Sequence, residues 1–121
     1  MAHTLAVLVE NRPGVLTRIS GLISRRAFNI ESIAAGYTED KDMTRITIVV
    51  REDDEQRVEQ LVDQLAKLVD VIRIVDHTRI DSLERELVMI KVKAIPEKRS
   101  NIVDIVNIFR ANIVDVNRET M

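Results

Sequence analysis

The distribution of apolar positions divides the chain into short periodic blocks. Residues 4–9 read Thr-Leu-Ala-Val-Leu-Val, apolar at both parities rather than alternating. That pattern predicts a central strand covered on both sides, by its own helices or by a partner. After Pro13 the period changes. Val15, Ile19, Leu22 and Ile23 fall on one helical face, flanked by Leu16 and Ala27, and Arg25 and Arg26 occupy the last turn, where they complement the helix dipole. Arg12 precedes proline, is pushed out of the α region and so bounds the helix, while Pro13, lacking an N–H, suits the first helical position. Phe28-Asn29-Ile30 opens a second extended block that continues through Ile33 to Tyr37, and Glu39-Asp40-Lys41-Asp42 reads as a solvated loop. Residues 44–50 alternate, with Ile46, Ile48 and Val50 on one face and Arg45 and Thr47 on the other. Val58, Leu61, Val62, Leu65 and Leu68 make a second helical stripe, and residues 71–75 a fourth strand.

Residues 4–76 therefore read β-α-β-β-α-β, the split βαβ arrangement: an α+β, ferredoxin-like domain over residues 1–78, with an antiparallel sheet and two helices on one face. The other face has no helices of its own, yet the first strand is apolar on both sides, which predicts a dimer or a larger partner. Beyond a polar connector at residues 77–81, residues 87–94 predict another strand. Ser100 is placed as an N-cap, and Ile102, Ile105, Val106 and Phe109 form a helical stripe. Ala111-Asn112-Ile113-Val114 then echoes Phe28-Asn29-Ile30, so the order strand, helix, Asn-Ile, strand occurs twice. Residues 79–121 thus read as an incomplete C-terminal α/β domain, a strand-helix-strand remnant that alone buries too little surface for independent stability.

Composition removes most kinds of chemistry. A formal charge of −2 over 121 residues leaves no basic footprint for nucleic acid, and the first and third strands carry no aromatic side chain on which bases would stack. The absence of cysteine excludes disulfides, thiol catalysis and Cys-based zinc sites. No apolar run approaches the ~20 residues that span a membrane, and no signal-peptide pattern opens the sequence, so no membrane association and a cytoplasmic location are expected. His3 and His77 lack a second ligand at metal spacing and are read as solvated edge residues. The acidic run Glu52-Asp53-Asp54-Glu55 is read as the start of the second helix rather than as a cation site. With only Gly14, Gly21 and Gly36, the chain has no phosphate-cradling loop and no nucleophile elbow. No catalytic residue and no metal site of its own are expected.

What remains is the turn Val9-Glu10-Asn11-Arg12-Pro13-Gly14-Val15-Leu16. A strand tip feeding a helix N-terminus leaves N–H groups without helical partners at the positive end of the dipole. The N–H groups of Gly14, Val15 and Leu16 would fall in the first turn, Gly14 would allow close approach, and the Asn11 carboxamide both donates and accepts. Asn29 is expected to come beside the first strand. The turn reads either as a carboxylate site for a small amino acid or as a plain strand-to-helix connection.

Asn11-Arg12-Pro13-Gly14-Val15-Leu16-Thr17-Arg18-Ile19, followed by Phe28-Asn29-Ile30-Glu31-Ser32-Ile33, resembles the ACT-domain signature. More narrowly, with Thr44-Arg45-Ile46-Thr47-Ile48, Gln64-Leu65-Ala66-Lys67-Leu68-Val69-Asp70-Val71, Arg85-Glu86-Leu87 and the segment Phe109-Arg110-Ala111-Asn112-Ile113-Val114-Asp115-Val116, the chain is similar to the small regulatory subunits of acetolactate (acetohydroxyacid) synthase. The resemblance implies an ACT domain that binds valine at the interface of a homodimer. It implies feedback inhibition of a separate catalytic subunit, and stimulation of that subunit when valine is absent, in branched-chain amino-acid biosynthesis. Thiamine diphosphate, a divalent metal and FAD would belong to the catalytic subunit, with no cofactor in this chain. By position, Asn11, Gly14, Val15 and Leu16 would form one wall of the valine site, and Asn29 and Ile30 of the other protomer the facing wall. A stand-alone amino-acid-binding ACT module and a purely structural dimerisation domain are the alternatives.

Overall fold

In the computed structural model, which describes residues 1–121, the first strand β1 (Ala2–Glu10) lies inside a four-stranded sheet. The other strands are β2 (Asn29–Tyr37), β3 (Met43–Arg51) and β4 (Val71–Asp76), in the order β2-β3-β1-β4, and every pairing is antiparallel. The helices α1 (Val15–Arg25) and α2 (Glu55–Ala66) pack on one face. This is the ferredoxin-like arrangement read from the sequence.

The core forms where the periodicities meet. Leu5, Val7 and Val9 of β1 and Ile46, Ile48 and Val50 of β3 bury against Val15, Ile19, Leu22 and Ile23 of α1 and Val58, Leu61 and Leu65 of α2. Each large aliphatic side chain so buried contributes about 1.5–3 kcal/mol of transfer free energy. Val62 and Leu68 pack at its margin, partly buried. Leu16 and Ala27 do not join the stripe. Leu16 is 47% exposed, and Ala27 lies past the helix end in the left-handed region at φ 58°. There Phe28 N–H reaches back to the Ile23 carbonyl at 3.2 Å, closing the helix and turning the Phe28 ring into the core.

The open face of the sheet is less apolar than residues 4–9 imply. Ala6 is flanked in register by Thr47 and Val75, and Leu8 by Arg45 and Arg73, so three of the four neighbours of the second apolar parity of β1 are polar. The barer surface is the sheet edge. All of β2 after Ile30 is exposed, including Ile33 and Tyr37, and its nine residues include no lysine and no proline. Natural edge strands of that length are usually blunted by charge, proline or a covering element.

The chain divides into two compact units, Met1–Leu83 and Glu84–Met121. In the second, helix α3 (Arg99–Ile108) follows a 3₁₀ turn at Pro96–Lys98. The expected strands at residues 87–94 and 111–114 do not form as ladders. The main-chain pairing is confined to a short antiparallel contact in which Val92 and Met121 exchange hydrogen bonds and Ala94 N–H donates to the Glu119 carbonyl at 2.6 Å. Ser100 lies inside the first turn, and the position before the helix is Lys98, with no side-chain cap. The Ile102-Ile105-Val106-Phe109 stripe finds no core: no residue of α3 is buried, and Leu87, Met89, Ile90 and Phe109 are largely exposed. An apolar run becomes a strand only when a partner strand takes its backbone groups, and this unit offers none along residues 87–91. No helix in the chain is long and apolar enough to cross a membrane.

Candidate functional site

Glu10, the last residue of β1, is anchored on one side, where its N–H donates to the Asp70 carbonyl at 2.9 Å. On the other side Asn11 N–H donates to the Asp42 carbonyl at 2.7 Å. The turn that follows is therefore fixed between the α2–β4 and β2–β3 connections. Pro13 and Gly14 form the turn itself, and the helix begins at Val15, two residues later than the proline rule predicts. The reason is Gly14, whose φ of 86° lies in the left-handed region and cannot belong to a right-handed helix.

Of the three amides expected to be free, two are. Gly14 and Leu16 N–H have no backbone acceptor, and neither has Thr17, whereas Val15 N–H makes a long bond of 3.4 Å to the Arg12 carbonyl. The Asn11 side chain is partly committed, because its Nδ2 donates to the Lys41 carbonyl at 3.0 Å. That leaves its Oδ1 and one N–H toward solvent.

A contact absent from the sequence reading completes the turn. Arg18 Nε donates to Asp70 Oδ2 at 2.7 Å, and Asp70 is 4% exposed. The Arg18 Nη1 atom lies 2.9 Å from the place a Cβ on Gly14 would occupy. Arg18 follows Gly14 by one helical turn, and helical side chains lean toward the N-terminus, so the spacing alone would have put it near the turn. What it pairs with could not be read from spacing.

Asn29 and Ile30 stand elsewhere. The expectation that Asn29 lies beside β1 fails, because β3 intervenes between β1 and β2. Asn29 registers with Arg51, and Arg51 with Ala2, whereas Glu10 registers with Met43 at the far end of the sheet. Eight residues of strand separate the two levels, about 27 Å at ~3.4 Å per residue. Asn29 is exposed and Ile30 is partly buried against the core. Within one chain the two proposed walls do not meet.

The remaining candidates resolve locally. His3 is buried rather than solvated, with Nε2 3.0 Å from the Glu52 carbonyl oxygen, because it sits on the core side of β1. His77 is half-buried, and its Nδ1 is enclosed without a hydrogen-bond partner. No three His, Cys, Asp or Glu side chains are grouped to hold a metal ion. The acidic run does start α2: Asp54 caps it, accepting from Gln56 N–H at 3.0 Å, while Glu52 pairs with Arg57. Glu55 pairs with Arg79, whose guanidinium holds that exposed carboxyl below its ordinary range.

Residues 5–73 match the family described as AHAS small subunit-like ACT domain, and residues 85–121 match the family described as small subunit of acetolactate synthase. A protein of Archaeoglobus fulgidus named a probable acetolactate synthase small subunit is 56% identical over 120 residues, 99% of this chain and 74% of the relative. The acetolactate synthase small subunit of Mycolicibacterium smegmatis is 53% identical over 119 residues, 98% of this chain and 69% of the relative. Among solved structures, the acetolactate synthase small subunit of Thermotoga maritima superposes with a TM-score of 0.80 at 34% identity, covering 99% of this chain and 74% of that one. The chain belongs to the acetolactate synthase small-subunit family, with an ACT-domain fold in its N-terminal unit.

Proposed function

We propose that this chain is the non-catalytic regulatory subunit of acetolactate synthase, a thiamine-diphosphate enzyme whose cofactors sit in a separate catalytic subunit. It binds valine between two copies of itself. Asn11, Gly14, Val15 and Leu16 of one copy supply the wall that takes the carboxylate, and Asn29 and Ile30 of the other supply the facing wall. Valine lowers the activity of the catalytic subunit, and the unliganded chain raises it.

The observation that carries this reading is the placement of the two walls at opposite ends of the same sheet. A two-fold antiparallel pairing of two copies along the exposed edge β2 reverses one sheet against the other. The Asn29 end of one copy then stands on the same side as the turn of its partner. Val15 N–H is weakly occupied and Asn11 is partly committed, so the free donors on the turn's side are the amides of Gly14, Leu16 and Thr17 and the rest of the Asn11 carboxamide.

Inhibition requires that valine bind the inhibited state of the assembly more tightly than the active one. Reconstitution of the catalytic subunit with this chain tests the whole reading. Activity should rise on adding the chain and fall when valine is then added. No rise and no valine-dependent fall would refute it.

A further inference from the structure

We infer that Arg18 supplies the charged donor for the α-carboxylate of the bound amino acid, with Asp70 as the positioning residue that aims it. This rests on the amino-acid site described above and names the side chain that reads its charge.

Two arginines flank the turn, each paired with a carboxylate through Nε, and they differ in the anchor: Glu10, which holds Arg12, is partly exposed, whereas Asp70, which holds Arg18, is buried. Arg12 is held by Glu10, with Nε 3.1 Å from Oε2. Arg18 is held through Nε alone, 2.7 Å from Asp70 Oδ2, so the N–H groups of Nη1 and Nη2 have no protein acceptor. A guanidinium carries five N–H donors in a rigid fork, and fixing it at Nε fixes the direction of the rest. That direction is toward Gly14, since Nη1 lies 2.9 Å from the position of a Cβ there and Nη2 3.9 Å. The free donors thus stand beside Gly14, whose amide has no backbone acceptor.

Asp70 is suited to hold that aim. It is almost wholly buried, and its own carbonyl accepts from Glu10 N–H, so the group that orients Arg18 is tied to the end of β1. The absence of a side chain at position 14 then serves two ends: the backbone needs the left-handed conformation, and the guanidinium occupies the space a Cβ would fill.

Removing Arg18 alone would leave the Asp70 carboxylate buried without its partner and could unfold the domain. The test is therefore the double variant Arg18→Gln with Asp70→Asn, which keeps a neutral hydrogen-bonding pair, compared with the unaltered chain by calorimetry on valine and on valinamide. Valinamide keeps the ammonium and the side chain but lacks the carboxylate. The variant should lose roughly tenfold to a hundredfold in valine affinity, as expected for a hydrogen bond to a charged group. Its affinity for valinamide should be unchanged. Unchanged valine affinity, or an equal loss for both ligands, would overturn the role of Arg18. Failure of the unaltered chain itself to bind valine would overturn the amino-acid site, and this inference with it.

Discussion

Gly14 is the residue on which the turn depends, for reasons visible at two depths. The Pro13-Gly14 pair in the sequence marks a turn, and the structure shows why only glycine serves: φ is 86° and the Arg18 guanidinium fills the side-chain space. A non-glycine residue in the left-handed region costs roughly 1–2 kcal/mol. Gly14→Ala should therefore lower stability by about that amount in urea unfolding and weaken valine binding by shifting Arg18. A variant as stable as the unaltered chain would show that the turn adapts at no cost. At this scale the sequence revealed which residue types make the turn, because backbone preferences are local. It did not reveal that the Asn11 carboxamide is already engaged, or that Asp70 orients Arg18, since those partners come from segments 30 and 52 residues away. His3 was misplaced for a related reason: its period puts it on the core face of β1, while its polarity argued for solvent.

Among the elements, those with a clear apolar period and a partner formed as read. β1, β3, α1 and α2 carry Leu5, Ile48, Ile19 and Leu61 to zero exposure on the expected faces. Residues 87–94 have an equally apolar composition and do not form a ladder, because apolar content proposes a strand and only a neighbouring strand completes it. The element that bears on assembly is β2. Its outer edge is long and exposed, with Glu31 its single charge, and Ala34, opposite Thr47, lies on it. A lysine there would set like charges near each other across a two-fold edge pairing and blunt the edge. Ala34→Lys should sediment as a monomer, retain its circular dichroism and lose valine binding together with dimerisation. A dimeric Ala34→Lys protein that still binds valine would place the interface elsewhere.

For the whole molecule, the element order β-α-β-β-α-β was legible, and with it the fold. The strand order sets the expectation for Asn29 aside: the split βαβ unit inserts β3 between the parallel strands β1 and β2. The consequence is functional, since the turn and Asn29 are held about 27 Å apart along the strands, and a site built from both belongs to two chains. Mixing two defective chains tests this most directly. Asn11→Ala and Asn29→Ala each damage every site in their own homodimers. In a mixed dimer, one site combines both lesions and the other combines the intact turn of one chain with the intact Asn29 of its partner. After subunit exchange at equal concentrations, calorimetry should recover valine binding at the unaltered affinity in roughly a quarter of all sites, the share that random pairing of two-fold dimers leaves intact. If exchange is verified and the mixture binds no better than either variant alone, the site lies within a single chain and the account is wrong.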